Sequence, residues 1–142
     1  MSSQHARTPI VVTHNGGLSF VAEIGSHRVV VDQPVHAHGE DRGPAPIDLL
    51  GAALGTCTAL YIHQFCEARG LDHEGFRVEV ERHGLSNPSR VGRFIVRVVL
   101  MSDIPEEYAS MLERVVRSCP AHNTLTSGAT VEVAIEKAVA VE

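Results

Sequence analysis

The chain has 142 residues, 44% of them hydrophobic and 20% charged, which is the balance of an ordinary globular domain long enough to bury its own core. A net charge of −5, with its 12 Lys and Arg never clustered, excludes the electrostatics of a nucleic-acid or anionic-membrane partner. Three cysteines do not make an extracellular disulfide framework, and no charged start leads into an apolar run, so a cytoplasmic protein without a secretory signal is expected.

Residues 8–13 and 18–23 read as two strands joined around Asn15-Gly16-Gly17, a strong hairpin signal. A second turn at Gly25-Ser26-His27 leads into a strand over 28–31. A polar loop rich in Pro and His follows, over 32–43. Pro44 and Pro46 then open a long helix, since proline suits a first turn that has no N–H obligations, and Gly70 closes it. This helix is apolar almost all round, the mark of a core helix covered on several sides. Asp48, His63, Gln64 and Glu67 interrupt it too soon for a membrane span.

Residues 76–81 alternate as a strand with one wet face, and Asn87-Pro88-Ser89 turns the chain into a more apolar strand over 91–101. A helix over 105–118 follows, with Glu106 and Glu107 in its first turn and Arg114 and Arg117 in its last, complementing the helix dipole. Pro120 opens another helix, which Gly128 ends. Val131, Val133 and Ile135, alternating with Glu132 and Glu136, predict a last strand. The order βββ-α-ββ-αα-β makes an α+β fold of one domain, residues 1–142, without repeats or linkers. The apolar helix carries more surface than one small sheet covers. A homodimer in which two such helices pack centrally is therefore expected, with the C-terminal helices as the alternative cover.

Two cysteines suggest chemistry. Cys57 lies midway along the core helix, where a free thiol is expected inside the protein. Cys119 falls at a helix–helix junction, where the unpaired N–H groups of the second helix lower a thiol pKa. Together they suggest a redox pair. Cys66 follows Cys57 by nine residues, which places it on the opposite side of the helix and about 13 Å along it, beyond disulfide reach. Its expected role is structural. No CxxC spacing supports a zinc ribbon or thioredoxin-type site, and no GxSxG elbow supports serine hydrolysis. His36-Ala37-His38 is the densest cluster among nine histidines but lacks a Cys or carboxylate at ligand spacing, so no metal site and no cofactor are expected. His63 is expected to face a crevice or bond internally, His122 to lie at the surface near Cys119, and Asp48 to serve as a first-turn acid.

The run GPAPIDLLGAALGTCTALYI, followed some sixty residues later by SCPAHNTL, resembles the OsmC/Ohr family of organic hydroperoxide reductases. The likeness covers most of the chain, because the order of elements fits as well. It implies an OsmC-like fold, with antiparallel sheets wrapping a long central helix, and an intertwined homodimer with sites at the subunit interface. It further implies that Cys57 is the peroxidatic thiol and Cys119 the resolving one. The implied chemistry is reduction of a hydroperoxide to an alcohol, with the resulting disulfide reduced by a small or lipoyl-type dithiol.

The chain also departs from the family. Well-characterised members place a Glu ten residues before the peroxidatic cysteine, paired with an activating Arg; here that position is Ile47, and Asp48 follows it, rotated by about 100°. The family Arg position falls near His36, with Arg28 and Arg42 the nearest guanidiniums. Arg28, His36, Arg42 and Asp48 are therefore the candidate auxiliary residues. Leu50, Ala53, Leu54 and Tyr61 share the Cys57 side of the helix and are the candidate substrate-pocket residues. Two other readings stay open: a redox sensor or hydrophobic-ligand binder on the same scaffold, and a hot-dog-like acyl thioesterase using an acid such as Asp48.

Overall fold

A computed structural model describes residues 7–138. Residues 1–6, on which part of the expectation of no secretory signal rests, and residues 139–142 of the expected domain lie outside the described residues. The chain falls into two compact units, one formed by residues up to Gly55 with Glu79–Arg97, the other by Thr56–Val78 with the residues from Val98 onward.

The first unit begins with a three-stranded antiparallel sheet, β1 (Val11–His14), β2 (Phe20–Ile24) and β3 (His27–Val31), with β2 central. Val11 lies opposite Glu23 and His14 opposite Phe20, while Phe20 also faces Val31 across the other edge. The predicted glycine-rich turn is present: the Asn15 N–H bonds the Ser19 carbonyl and the Ser19 N–H bonds the Gly16 carbonyl, both at 2.9 Å. The loop after β3 contains a short 3-10 helix, Val35–Ala37.

Asp32 ties that loop down. Its buried carboxylate accepts the backbone N–H groups of Gln33 (2.7 Å), Arg42 (3.1 Å) and Glu40 (3.3 Å). Burial alone would push the Asp32 carboxyl up, but these amides and the Arg42 charge outweigh it and hold the pKa below the ordinary value. Gly43 is required where the loop returns, because a Cβ there would overlap the Val30 carbonyl.

The central helix α1 (Pro46–Ala68) runs for 23 residues. Its start is closed by the Ala45 carbonyl, which accepts from the N–H groups of Asp48 and Leu49. Its end comes where predicted, at Gly70 with φ +62°, a left-handed turn that lets the Leu71 N–H bond the Cys66 carbonyl at 3.0 Å. Two strands, β4 (Arg77–Leu85) and β5 (Arg90–Val99), form a hairpin joined through the Asn87-Pro88 turn. In the first unit α1 comes close to β4 through Gly55, where an added Cβ would stand 3.1 Å from the Val80 side chain.

The second unit holds the larger apolar core. Ile62, Phe65 and Cys66 of α1 are buried with Leu112 of α2 (Glu106–Val116), and Phe76, Val78, Val98 and Tyr108 pack around them. Burying a side chain such as Ile62 contributes roughly 1.5–3 kcal/mol relative to leaving it in water. Helix α3 (Pro120–Ser127) follows α2 directly.

Two expectations need correction. Residues 131–136 do not form the predicted last strand: Val131, Val133 and Ile135 are 82%, 82% and 92% exposed. Alternation supplies one apolar face, but a strand also needs a neighbour for its N–H and C=O groups, and among the described residues none pairs with this stretch. The central helix is also less covered than a core helix should be. Ile47, Leu50 and Leu60 are 39%, 45% and 51% exposed. By length and hydropathy α1 meets the requirements of a membrane span, a test that core helices pass as well.

Candidate functional site

The two cysteines singled out in the sequence meet in the second unit. Cys57 sits midway along α1, and Cys119 is the residue that caps α3. The Cys57 thiol lies near enough to the Cys119 sulfur for each to feel the other. Both are free thiols. The arrangement grows from local sequence rules. Pro105 and Glu106 start α2, and Pro120 starts α3, so Cys119 takes extended backbone between two helices and its sulfur accepts the His122 N–H at 3.3 Å. The neighbouring Ala121 N–H lies near Cys57 and favours its thiolate. Two amides of one helix start therefore act on two sulfurs.

Exposure divides the pair differently from the sequence expectation. Cys57 was expected inside, yet it is half-buried, and Cys119 is the sulfur wholly removed from solvent. The midpoint of α1 is open on the side where Thr56 and Leu60 also reach solvent. Partial burial pushes the Cys57 thiol up from its ordinary pKa. The Ala121 amide works against that rise, and the nearby Cys119 sulfur adds to it. Among the described residues no cation figures in this balance. Cys57 is thus a thiol whose ionisation is disfavoured, with a second thiol close by.

Cys66 behaves as its helical position demands. It is fully buried in the apolar core on the other side of α1, and burial pushes its thiol up, opposed by the Arg69 charge.

The auxiliary candidates are engaged elsewhere. Arg28 on β3 stands 3.8 Å from Glu23, with both side chains mostly in solvent. Arg42 pairs with Glu40, and His36 is exposed on the 3-10 helix. Asp48 pairs with Arg82 of β4, a partner that sequence spacing gave no means of finding. A helical rise of 1.5 Å per residue separates Asp48 from Cys57 by about 13 Å, too far for a hydrogen bond. Of the pocket candidates, Leu54 is buried, Tyr61 is half-buried, and Leu50 and Ala53 are exposed. The Ala121 and His122 amides were not singled out, although Pro120 after Cys119 was their signal in the sequence.

A long helix, two antiparallel sheets and a thiol pair at the middle of that helix and the start of a later one define an α+β dithiol protein. A family model described as OsmC-like protein matches residues 38–134, and the chain belongs to that family. No curated protein sequence matches it. Among solved structures, one from Psychrobacter arcticus 273-4, described as a candidate osmotic-stress-induced and detoxification-response protein, is similar at 21% identity and TM-score 0.77. The alignment covers 86% of this chain and 90% of that one. An OsmC-like protein of Mycoplasma pneumoniae is similar at 21% identity and TM-score 0.73, covering 85% and 88%. The organic hydroperoxide resistance protein OsmC of Legionella pneumophila is similar at 16% identity and TM-score 0.58, covering 85% and 91%. These likenesses establish the fold.

Proposed function

We propose that the protein serves in defence against oxidative stress by reducing organic hydroperoxides with the Cys57–Cys119 pair. The observation that carries the proposal is the nearness of two free thiols, Cys57 on α1 and Cys119 at the start of α3. The Cys57 thiolate attacks the distal oxygen of ROOH. The O–O bond breaks, the alkoxide leaves and takes up a proton as ROH, and Cys57 becomes a sulfenic acid. The Cys119 thiol then condenses with it, releasing water and closing a disulfide. A dithiol reductant, small or lipoyl-type, returns two electrons and two protons to restore both thiols. The name of the Legionella relative, organic hydroperoxide resistance protein, fits this role.

A homodimer is part of the proposal. The exposed Leu50 and Leu60 of α1, and the unpaired apolar residues Val131, Val133 and Ile135, are surfaces a second copy would cover. A cytoplasmic setting is proposed with it, on the grounds that a catalytic disulfide must be reduced again.

One observation favours a second reading, that of a redox sensor. A thiol pushed up by burial, with no cation among the described residues to offset the rise, is oxidised slowly, which suits a protein that registers peroxide better than one that clears it.

Titration with cumene hydroperoxide under dithiol recycling decides between them. Catalytic consumption of peroxide, abolished in Cys57→Ser, supports the reductase. Oxidation of the pair after a single equivalent, without turnover, supports the sensor. A wild-type protein whose thiols ignore the peroxide refutes both.

A further inference from the structure

A second cluster of ligating side chains lies in the same unit as the thiols, where α1 ends and the chain turns toward β4. His63 and Glu67 are four residues apart on α1 and so lie on one face, one turn above the other. His73 comes back to them from the turn that follows. His63 Nδ1 and His73 Nε2 are 2.9 Å apart, and His73 Nε2 is 3.8 Å from Glu67 Oε2. One ligand atom from each residue lies within 4.8 Å of the other two.

His73 is aimed by its surroundings. Its Nδ1 is 2.9 Å from the Leu71 carbonyl, which can only accept. The proton therefore sits on Nδ1, and the Nε2 lone pair points into the cluster. An imidazole that donates one ring N–H to a carbonyl and offers the other nitrogen is the arrangement that protein metal sites use to orient a ligand. The turn carrying it is fixed as well. Asp72 accepts the Ser102 hydroxyl at 2.6 Å and the Glu74 N–H at 3.1 Å, and the His73 ring lies against Phe76. The His73 side chain is only 18% exposed, whereas His63 and Glu67 open to solvent. One position is thus pre-set and two are free to adjust by side-chain rotation.

We propose that His63, Glu67 and His73 bind a divalent transition-metal ion, zinc by the chemistry of the set. Two imidazoles and one carboxylate are a ligand set that zinc takes with a fourth position left to water. The ion would also lie by the C-terminal end of α1, where the helix dipole favours positive charge and the last turn carries no basic residue. The His36-Ala37-His38 run, which the sequence singled out, has no such geometry; the ligating histidines are ten residues apart and meet only because Gly70 turns the chain back.

The test is titration of the reduced protein with zinc by calorimetry and with cobalt(II) by absorption spectroscopy. The expected result is one metal per chain, a cobalt spectrum without a thiolate charge-transfer band, and a zinc-dependent rise in Tm. His73→Asn and His63→Gln should each weaken binding at least tenfold and remove the Tm rise, while His38→Asn should change neither. His63 is exposed, so His63→Gln reports on the site even if His73→Asn disturbs the turn. A thiolate band would place the metal on the cysteines and overturn the proposal. So would binding by His63→Gln equal to that of the wild type.

Discussion

Cys119 is wholly buried, whereas its neighbour Cys57 remains half-open to solvent. This difference suits the order of events in the proposed cycle. A molecule arriving from solution meets Cys57, while Cys119 needs to meet only the sulfur beside it.

Replacing the inner sulfur should therefore leave the first step intact and block the second. Cys119→Ser is expected to consume about one equivalent of organic hydroperoxide and stop, with Cys57 carried on to the sulfinic state by excess oxidant. Peptide mapping of wild type should find a Cys57–Cys119 bridge and Cys66 free. A bridge that includes Cys66 would contradict the placement of Cys66 on the far side of α1.

The rate of the first step should climb with pH. Burial, reinforced by the Cys119 sulfur and only partly opposed by the Ala121 amide, holds the Cys57 pKa above its ordinary value. Throughout the neutral range the reactive thiolate is then a minor species, growing about tenfold per unit of pH. Stopped-flow oxidation between pH 6 and 9 should follow that slope. A rate flat down to pH 6 would reveal an activating cation, and its loss in Arg28→Ala or Arg42→Ala would identify it.

The proposed assembly should be breakable without touching the thiols. Leu60 is 51% exposed and Val133 82%, so an aspartate at either position should be tolerated by the chain itself. Wild type should sediment as a dimer at micromolar concentration, and Leu60→Asp and Val133→Asp should shift it toward monomer. A wild-type monomer at that concentration would refute the dimer.

The loop after β3 should be sensitive to acid and to small additions of bulk. The Asp32 pKa is depressed in the folded chain, so its contribution is present above the ordinary carboxyl pKa and lost as pH falls through the lower folded value. Asp32→Asn should lower Tm at pH 7 and flatten the further loss of stability below about pH 4. Gly43→Ala should cost about 1–3 kcal/mol in denaturant unfolding, since the added methyl meets the Val30 backbone.

What the sequence disclosed divides along physical lines. Helix ends written in Pro46, Gly70, Pro120 and Gly128, and the hairpin at Asn15-Gly16-Gly17, follow from backbone rules acting over a few residues, and they stand where expected. The pairing of Cys57 with Cys119 was suggested by one cysteine within an apolar helix and another at a helix start, and the family resemblance added the role of each. Side-chain partners across elements, such as Arg82 for Asp48 or His73 for His63, depend on packing that no spacing rule encodes. The strand expected at 131–136 failed for a related reason: periodicity describes one chain, and pairing requires another segment.

The start of α3 carries a further consequence. The His122 amide rests on the Cys119 sulfur, and the Ala121 amide acts on Cys57 beside it. Joining those sulfurs in a disulfide makes each a poorer acceptor, so the first turn of α3 would lose its cap as the bond forms. Amide proton exchange at Ala121 and His122 should then quicken on oxidation and slow again on reduction. The helix would act as a reporter of electron count, legible to any partner that binds its open end.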